Sequence, residues 1–377
     1  MATIASVHCY VVEQPLTQAF AFSQWAYTKR TICLVKIVAD DGTYGWGEGY
    51  GPGSVIKAGI ELLKPMVIGR NPIETSAIWQ TLYLHTLDYS RSGVLMAAIS
   101  AIDVALWDLK GKLMGQPVHV LLGGKRRDRV SVYATGMYFT EGGDLSAKLA
   151  REAEGYAAQG FRAMKMKVGH SLAQDIKNVT AVRAAIGPNL ALMIDSNHAY
   201  NRSEARALCR AVESLGVAWF EEPLSPEDYV GYAELRQQTD IPIAGGECEY
   251  LVHGFKRLLD AQCVDIVQPD VCSAGGITEM QRIIALVRAN NVDLTPHCWS
   301  SGIGFAVGLH IAATLDAMPG RRLRPEPFLE MDRTENPLRD RLTQPVFKVM
   351  EGSVVVPDTP GLGIDVDPCL LEEFALG

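Results

Sequence analysis

Arg162–Val168 reads RAMKMKV, Ala191–Asp195 ALMID, Ala218–Glu221 AWFE, Ile241–Glu247 IPIAGGE, Val264–Asp270 VDIVQPD and Asp293–His297 DLTPH. Each is a short apolar run that carries or ends on an ionisable residue. Asp195 to Glu221 and Glu221 to Glu247 are both steps of 26 residues, Glu247 to Asp270 is 23, and Asp270 to His297 is 27. One strand and one helix fit in such a step. The series therefore predicts a reactive group at the C-terminal end of each strand, which is how a (β/α) barrel assembles a site from several strands.

Working outward, Val130–Thr135 and Pro327–Met331 supply two more strands, and Ile241–Gly245, Val264–Gln268 and Asp293–Pro296 are the strand parts of the later runs. Helical patterns at Leu145–Ala158, Ala173–Ile186, Ser203–Leu215, Pro226–Gln238, Gly276–Ala289 and Ile303–Leu315 alternate with them. The expected fold is α/β, a (β/α)7β-type TIM barrel over residues 126–335. Residues 1–125 read differently. Strands Ile4–Val12 and Thr31–Ala39 and the turn Asp40-Asp41-Gly42 lead into Tyr44–Glu48. Helices Val55–Val67, Pro72–Leu87 and Val94–Met114 follow, the last stopped by Gly115. Strands followed by helices indicate a separate α+β domain. Residues 336–377, Pro/Gly-rich with a short strand at Ser353–Val356, are expected to return to that first domain.

Composition excludes several classes. The net charge of −8, with no basic patch, argues against nucleic-acid binding, and 48% hydrophobic with 21% charged residues is ordinary for a soluble globular protein. No run approaches the ~18 apolar residues of a membrane span. Met1–Val12 lacks the pattern of a signal peptide. Eight cysteines without a C-x-x-C pair read as reduced thiols, which points to the cytoplasm.

Three carboxylates converging at a barrel mouth, Asp195, Glu221 and Glu247, would repel one another unless a cation lay between them. An all-oxygen donor set suits Mg²⁺ before Mn²⁺ or Ca²⁺. Glu222, beside Glu221, competes for the same strand end, and period alone does not exclude it. Lys165 and Lys167 share one strand face, and two ammonium groups under helices would be costly, so the lumen mouth is their expected place. There a crowded lysine can serve as a base. Asp270 and His297 end consecutive strands, and a carboxylate beside an imidazole makes a general acid/base. His198, His253 and His310 are expected to be structural. Glu330, ending the eighth strand, offers a further acid or acceptor. The set suits removal of a proton from carbon next to a carboxylate.

These residues resemble the enolase superfamily in its mandelate racemase subgroup. The likeness rests on Lys165-Met166-Lys167, Asp195-Ser196-Asn197, Glu221-Glu222-Pro223, Gly246-Glu247, Asp270 and His297, with Ala105–Lys112 and Leu121–Gly124 as the helix and turn joining two domains. The resemblance implies one Mg²⁺ per subunit held by Asp195, Glu221 and Glu247, with Lys167 and the His297–Asp270 dyad as opposed bases. It implies Lys165 near the substrate carboxylate, lowering the pKa of Lys167, Asn197 near metal or substrate, and Glu330 hydrogen-bonded to the enolate oxygen. The N-terminal domain would cap the barrel, and its loop Leu16–Tyr27, with Trp25, would shape the substrate pocket together with Tyr50. A small-molecule carboxylate substrate and a homo-oligomer are implied, with no nucleic-acid or membrane partner.

The stretch Glu330–Arg339 is similar to that of galactarolactone cycloisomerases and related acid-sugar enzymes, so β-elimination from an acid sugar or its lactone is expected. Phe20, Phe22, Trp25 and Tyr27 in the early loop keep racemisation of a 2-hydroxy acid open. A Schiff-base aldolase would not need three converging carboxylates. A serine hydrolase on Ser300 or Ser301 lacks a G-x-S-x-G elbow, and Ser300–Gly308 reads as a loop-to-helix turn. A non-catalytic barrel would have no use for intact Lys167, Asp270 and His297.

Overall fold

The computed structural model describes residues 2–316 and 328–376. In the first domain, β1 (Ile4–Ala21), β2 (Ala26–Ala39) and β3 (Tyr44–Gly49) form an antiparallel sheet in that order, backed by α1 (Gly53–Leu63), α2 (Thr75–Thr86) and α3 (Val94–Met114). The first two strands run well past their expected ends at Val12 and Thr31. Aromatic side chains explain the extension, since Phe20 meets Tyr27 at 5.5 Å between ring centroids and Phe22 stacks on Tyr27 at 5.7 Å. Such cross-strand pairs hold a hairpin together where its backbone register slips, here between Pro15 and Phe20.

Strand β3 meets α3 through glycine. A Cβ at Gly45 would lie 2.2 Å from the Ala105 carbonyl oxygen, and one at Gly47 would lie 2.1 Å from that of Ala101. Glycines two apart on a strand thus face alanines four apart on a helix, and no larger side chain fits the seam. With its glycine face against the helix, β3 turns Glu48 the other way, into the barrel domain.

After the short α4 (Val118–Leu121), strand and helix alternate: β4 (Arg129–Gly136), α5 (Leu145–Ala158), β5 (Ala163–Lys167), α6 (Leu172–Ile186), β6 (Ala191–Asp195), α7 (Arg202–Val212), β7 (Val217–Glu221) and α8 (Tyr229–Arg236). The series continues through β8 (Ile243–Gly245), α9 (Leu251–Asp260), β9 (Ile266–Val267), α10 (Gly276–Ala289), β10 (Asp293–Leu294), α11 (Gly302–Thr314) and β11 (Phe328–Asp332). The eight strands pair in parallel in the order β11-β4-β5-β6-β7-β8-β9-β10, the (β/α)7β arrangement expected. Pro327, where the eighth strand was expected to start, lies outside the described residues. The two ends of the path meet where the Cys298 N–H donates to Glu330 Oε2 at 3.1 Å.

Side chains alternate across each strand. Met164, Met166, Leu192, Ile194 and Phe220 pack outward into the helix-facing core, whereas Tyr133, Ala163, Met193, Trp219 and Ala244 form a separate apolar floor inside the barrel. Two residues on from Ala163, Met193 and Trp219 the next inward positions are charged, Lys165, Asp195 and Glu221. The C-terminal segment adds α12 (Pro337–Asp340), β12 (Thr343–Gln344), β13 (Ser353–Val355), β14 (Asp365–Val366) and α13 (Pro368–Phe374). It pairs β13 with β4, and it reaches the first domain where Trp46 Nε1 donates to Asp365 and Leu376 N to the Val11 carbonyl. Among the described residues no helix is long and apolar enough to cross a membrane.

Candidate active site

Parallel register brings the strand-end groups together. Lys167 is opposite Asp195, Asp195 opposite Glu221, and a lone bridge extends the β9–β10 pairing to Asp270 and His297. Strand-to-strand steps of similar length therefore end at one level of the barrel, which is why spacing in the chain becomes adjacency in space.

The result is a buried charge network. Lys165 Nζ contacts Glu221 Oε1, lies 2.8 Å from Glu330 Oε1 and is 3.5 Å from Asp195 Oδ2. Lys167 Nζ lies 2.5 Å from Asp195 Oδ2 and donates to Asn197 Oδ1 at 2.7 Å. His297 Nδ1 pairs with Asp270 Oδ2 at 2.6 Å, and its Nε2 faces Glu247 Oε2 at 3.4 Å and Glu330 Oε2 at 3.8 Å. The Cys272 N–H fixes the other Asp270 oxygen at 2.7 Å. Glu221 also accepts from Trp219 Nε1 and Gln268 Nε2. Both lysines are thus in the lumen, as the cost of burying them under helices predicts.

Burial and neighbouring charge together set the ionisation of these groups. Burial and the nearby Lys165 ammonium both pull the Lys167 ammonium down, but the touching Asp195 carboxylate outweighs them, so the net shift is upward. Glu330 is pushed up by burial, but Lys165, His297 and the Thr135 hydroxyl at 2.5 Å bring it down to about 2. An ionised Glu330 only accepts hydrogen bonds, so donating one to an enolate oxygen would first require its protonation. As it stands it positions Lys165 and His297. Burial also lowers the His297 imidazole, yet Glu247, Glu330 and Asp270 together raise it to about 10.

Asp195, Glu221, Glu222, Glu247, Asp270 and Glu330 outnumber Lys165, Lys167 and His297 at this mouth. An excess of carboxyl groups in a desolvated site is the donor chemistry of a hard divalent cation. Asp195 and Glu221 end consecutive strands and Glu247 follows the next one, so these three are carboxylates that could hold one. Glu222 is buried with a left-handed φ of 45° that turns it sideways to Asn197 Nδ2 and His198 Nε2, both at 3.3 Å.

A cavity of about 320 Å³ opens above these groups, lined by Lys167, Asn197, Glu247, His297 and Glu330 below and by aromatic residues around. Trp25, 59% exposed, and Tyr50, whose ring meets His297 edge-on at 5.3 Å, both line it as expected. Phe22 and Tyr27 come from the same hairpin tip, which is latched by Ser23 Oγ to the Ser196 carbonyl at 2.6 Å and by Gln24 Nε2 to that of Asn197 at 2.8 Å.

Sequence reasoning missed Tyr138, Tyr250 and Trp299, which arrive on loops without periodic signal. Trp299 is backed by Arg30, 3.6 Å above its ring, itself bonded to Asp332 at 2.5 Å. His198 also belongs to the cavity wall and is not purely structural. His253 is exposed on α9, while His310 is structural, bonded to the Leu362 carbonyl at 3.1 Å and accepting from His119 N at 3.2 Å. Ser301 caps α11 and donates to Glu48 Oε2 at 2.5 Å, which makes Ser300–Gly308 the loop-to-helix turn expected.

Known proteins share this layout. Residues 5–123 match the mandelate racemase / muconate lactonizing enzyme N-terminal domain, and residues 148–369 the enolase C-terminal domain-like family. The D-galactarolactone cycloisomerase of Agrobacterium fabrum is 39% identical over 373 residues, covering 99% of each chain. The arabinonate dehydratase of Saccharolobus solfataricus is 34% identical over 370 residues, covering 97% of this chain and 96% of its own. The crystal structure of the 3,6-anhydro-D-galactonate cycloisomerase from Zobellia galactanivorans is 51% identical with a TM-score of 0.91, covering 100% of both chains. Likeness that runs end to end, through both domains, makes this chain an enzyme of the mandelate racemase / muconate lactonizing enzyme family in the enolase superfamily.

Proposed function

We propose that this enzyme abstracts the proton α to the carboxylate of a cyclic sugar acid and expels a ring oxygen from the β-carbon. The observation that carries the reading is the composition of the cavity. Lys167 and His297 both enter it, its walls are aromatic, and among the described lining residues there is one lysine, Lys167, and no arginine. A second carboxylate at the far end of the substrate would find no guanidinium there, which favours a monocarboxylate over an open-chain aldarate. Aromatic walls suit the apolar faces of a ring, and the volume lies in the usual range for small ligands. Relatives named for a lactone and for an anhydro sugar acid support a ring substrate.

Asp195, Glu221 and Glu247 would hold Mg²⁺, which supplies positive charge to the carboxylate oxygens as negative charge develops on them. Lys167 or His297 takes the α-proton, according to the configuration at that carbon. Asp270 holds the imidazole in orientation. The electron pair of the broken C–H bond forms the carbon–carbon double bond as the β C–O bond breaks. The opposite base returns a proton to the departing oxygen, and the enol becomes a 2-keto-3-deoxy acid. Because a ring oxygen remains attached, the product is an isomer of the substrate; from an open-chain aldonate the same steps would release water.

The hairpin-tip aromatics Phe22, Trp25 and Tyr27 favour a second reading, racemisation of a 2-hydroxy acid. A panel of anhydro-aldonates, lactones, aldonates, aldarates and aromatic 2-hydroxy acids with Mg²⁺, followed by 2-keto acid formation and product mass, separates the two. Keto acid isobaric with a cyclic substrate is expected. Racemisation of aromatic acids with no keto acid from any sugar would overturn the proposal.

A further inference from the structure

The left-handed turns after β6 and β7 gather groups that the reaction above does not use. In a regular strand Glu222, next to the lumen-facing Glu221, would point outward under the helices. Instead φ is 45° at Glu222 and 67° at His198, values uncommon for residues with a side chain. The backbone is held there by His198 N to Glu222 O at 2.9 Å, Glu222 N to Ala244 O at 3.0 Å and Ser196 Oγ to Glu222 O at 2.7 Å. Strain that the surroundings enforce is an invitation to ask what it places.

It places three different donors around one point. His198 Nε2 lies 3.3 Å from Glu222 Oε2 and 3.7 Å from Cys248 Sγ, and the three ligand atoms are all within 4.8 Å of one another. Zinc bond lengths of ~2.1 Å to nitrogen or oxygen and ~2.3 Å to sulfur give tetrahedral edges of roughly 3.4 Å for N···O and 3.6 Å for N···S. The observed separations match both. His198 Nδ1 is buried without a hydrogen-bond partner. The ring is therefore committed through Nε2 alone, and a proton on Nδ1 would leave the Nε2 lone pair facing the other two donors.

We propose that His198, Glu222 and Cys248 form a second metal site, for a borderline-soft divalent ion of the zinc class, and that its occupation inhibits the enzyme. A mixed nitrogen, oxygen and sulfur set selects zinc or cadmium over magnesium, whereas the neighbouring carboxylates select the reverse. His198 and Cys248 both line the substrate cavity, so an ion drawn between them narrows it. The site does not depend on which sugar acid is turned over.

The test uses the full chain saturated with Mg²⁺ and titrated with Cd²⁺, whose bond to a thiolate gives an ultraviolet charge-transfer band that carboxylates cannot. One further ion per chain with that band is expected. In Cys248→Ser the band should vanish. In His198→Gln binding should weaken by on the order of 10²-fold or more, since even outer-shell changes cost 10–100-fold. Zn²⁺ should slow alkylation of Cys248 in the unmodified enzyme, and should reduce its turnover by a larger factor than it reduces that of Cys248→Ser, each measured against its own zinc-free rate. Circular dichroism and Mg²⁺ binding of both variants establish that they fold. No uptake beyond Mg²⁺, a band that survives Cys248→Ser, or equal zinc inhibition of parent and variant would each overturn the site. The band and the alkylation need no turnover, so they stand or fall separately from the proposed reaction.

Discussion

The barrel mouth and the hairpin that covers it are built on opposite principles. At the mouth, Lys165, Asp195, Glu221, Asp270 and Glu330 are at most 2% exposed, and each is fixed by several partners on neighbouring strands. At the hairpin tip the side chains hold mainly one another, Phe22 meeting Trp25 edge-on at 4.8 Å and Trp25 meeting Tyr27 at 6.2 Å, with Ser23 and Gln24 as the latch. The groups proposed to react are over-determined by a sheet, and the groups that would select a substrate rest on a few contacts. Chemistry can stay constant in such a molecule while specificity drifts, because the tip supplies none of the ion-pair partners of the buried charges.

The sharpest way to break this contrast is to remove the Mg²⁺ that Asp195, Glu221 and Glu247 are proposed to hold. Exhaustive chelation should reduce turnover by at least ~10³-fold, the equivalent of several kcal/mol of charge stabilisation, and added Mg²⁺ should restore it. Unchanged activity after chelation would remove Asp195, Glu221 and Glu247 from the reaction. Next in size are the two proposed bases. Lys167→Ala and His297→Asn should each lose ~10²–10⁴-fold in kcat with little change in KM. In D₂O one of them should still exchange the α-proton of a substrate; exchange at the parental rate in both would refute the assignment of bases.

How far the sequence could be read follows the same division. Period-two alternation and steps of similar length place Lys165, Lys167, Asp195, Glu221, Asp270 and His297 at one level because parallel register converts length into position. Helix α3 spans Val94–Met114, with its stop at Gly115, because apolar spacing and a left-handed C-cap with φ of 63° are both local signals. Glu222 and His198 escape such reading, since a positive φ breaks the alternation that predicts direction. Tyr138, Tyr250 and Trp299 escape it too, because a loop after a strand has no period. The charge state of Glu330 depends on Lys165, 165 positions earlier in the chain, and on Thr135.

Between the two regions lies the β3–α3 seam. Gly47→Ala puts a methyl group 2.1 Å from the Ala101 carbonyl oxygen, a backbone atom that cannot rotate away. Overpacking of this kind should cost ~1–3 kcal/mol in urea unfolding. The same seam aims Glu48 at the N-terminus of α11, where it accepts from Ser301 N at 2.9 Å and Gly304 N at 3.1 Å. Folded Gly47→Ala protein that keeps the parental kcat would mean that the seam sets stability and not chemistry.

The smallest effect is expected at Trp25. With 59% of its surface exposed, it gives up little burial when removed, and its edge-on contacts to Phe22 and Tyr27 are worth ~0.5–1.5 kcal/mol beyond area. If Trp25 serves only to pack against a bound ring, Trp25→Ala should raise KM by roughly 2- to 10-fold and leave kcat alone, the signature of an interaction equal in ground and transition states. Ser23→Ala supplies the complementary probe, since it removes the 2.6 Å latch to Ser196 without touching the cavity. A matching rise in KM in both variants would locate the effect in hairpin docking, and a rise in Trp25→Ala alone would locate it in the ring contact. A kcat loss in Trp25→Ala comparable to that of Lys167→Ala would erase the distinction between the regions, because an exposed aromatic with no buried partner would then be acting on the reacting atoms.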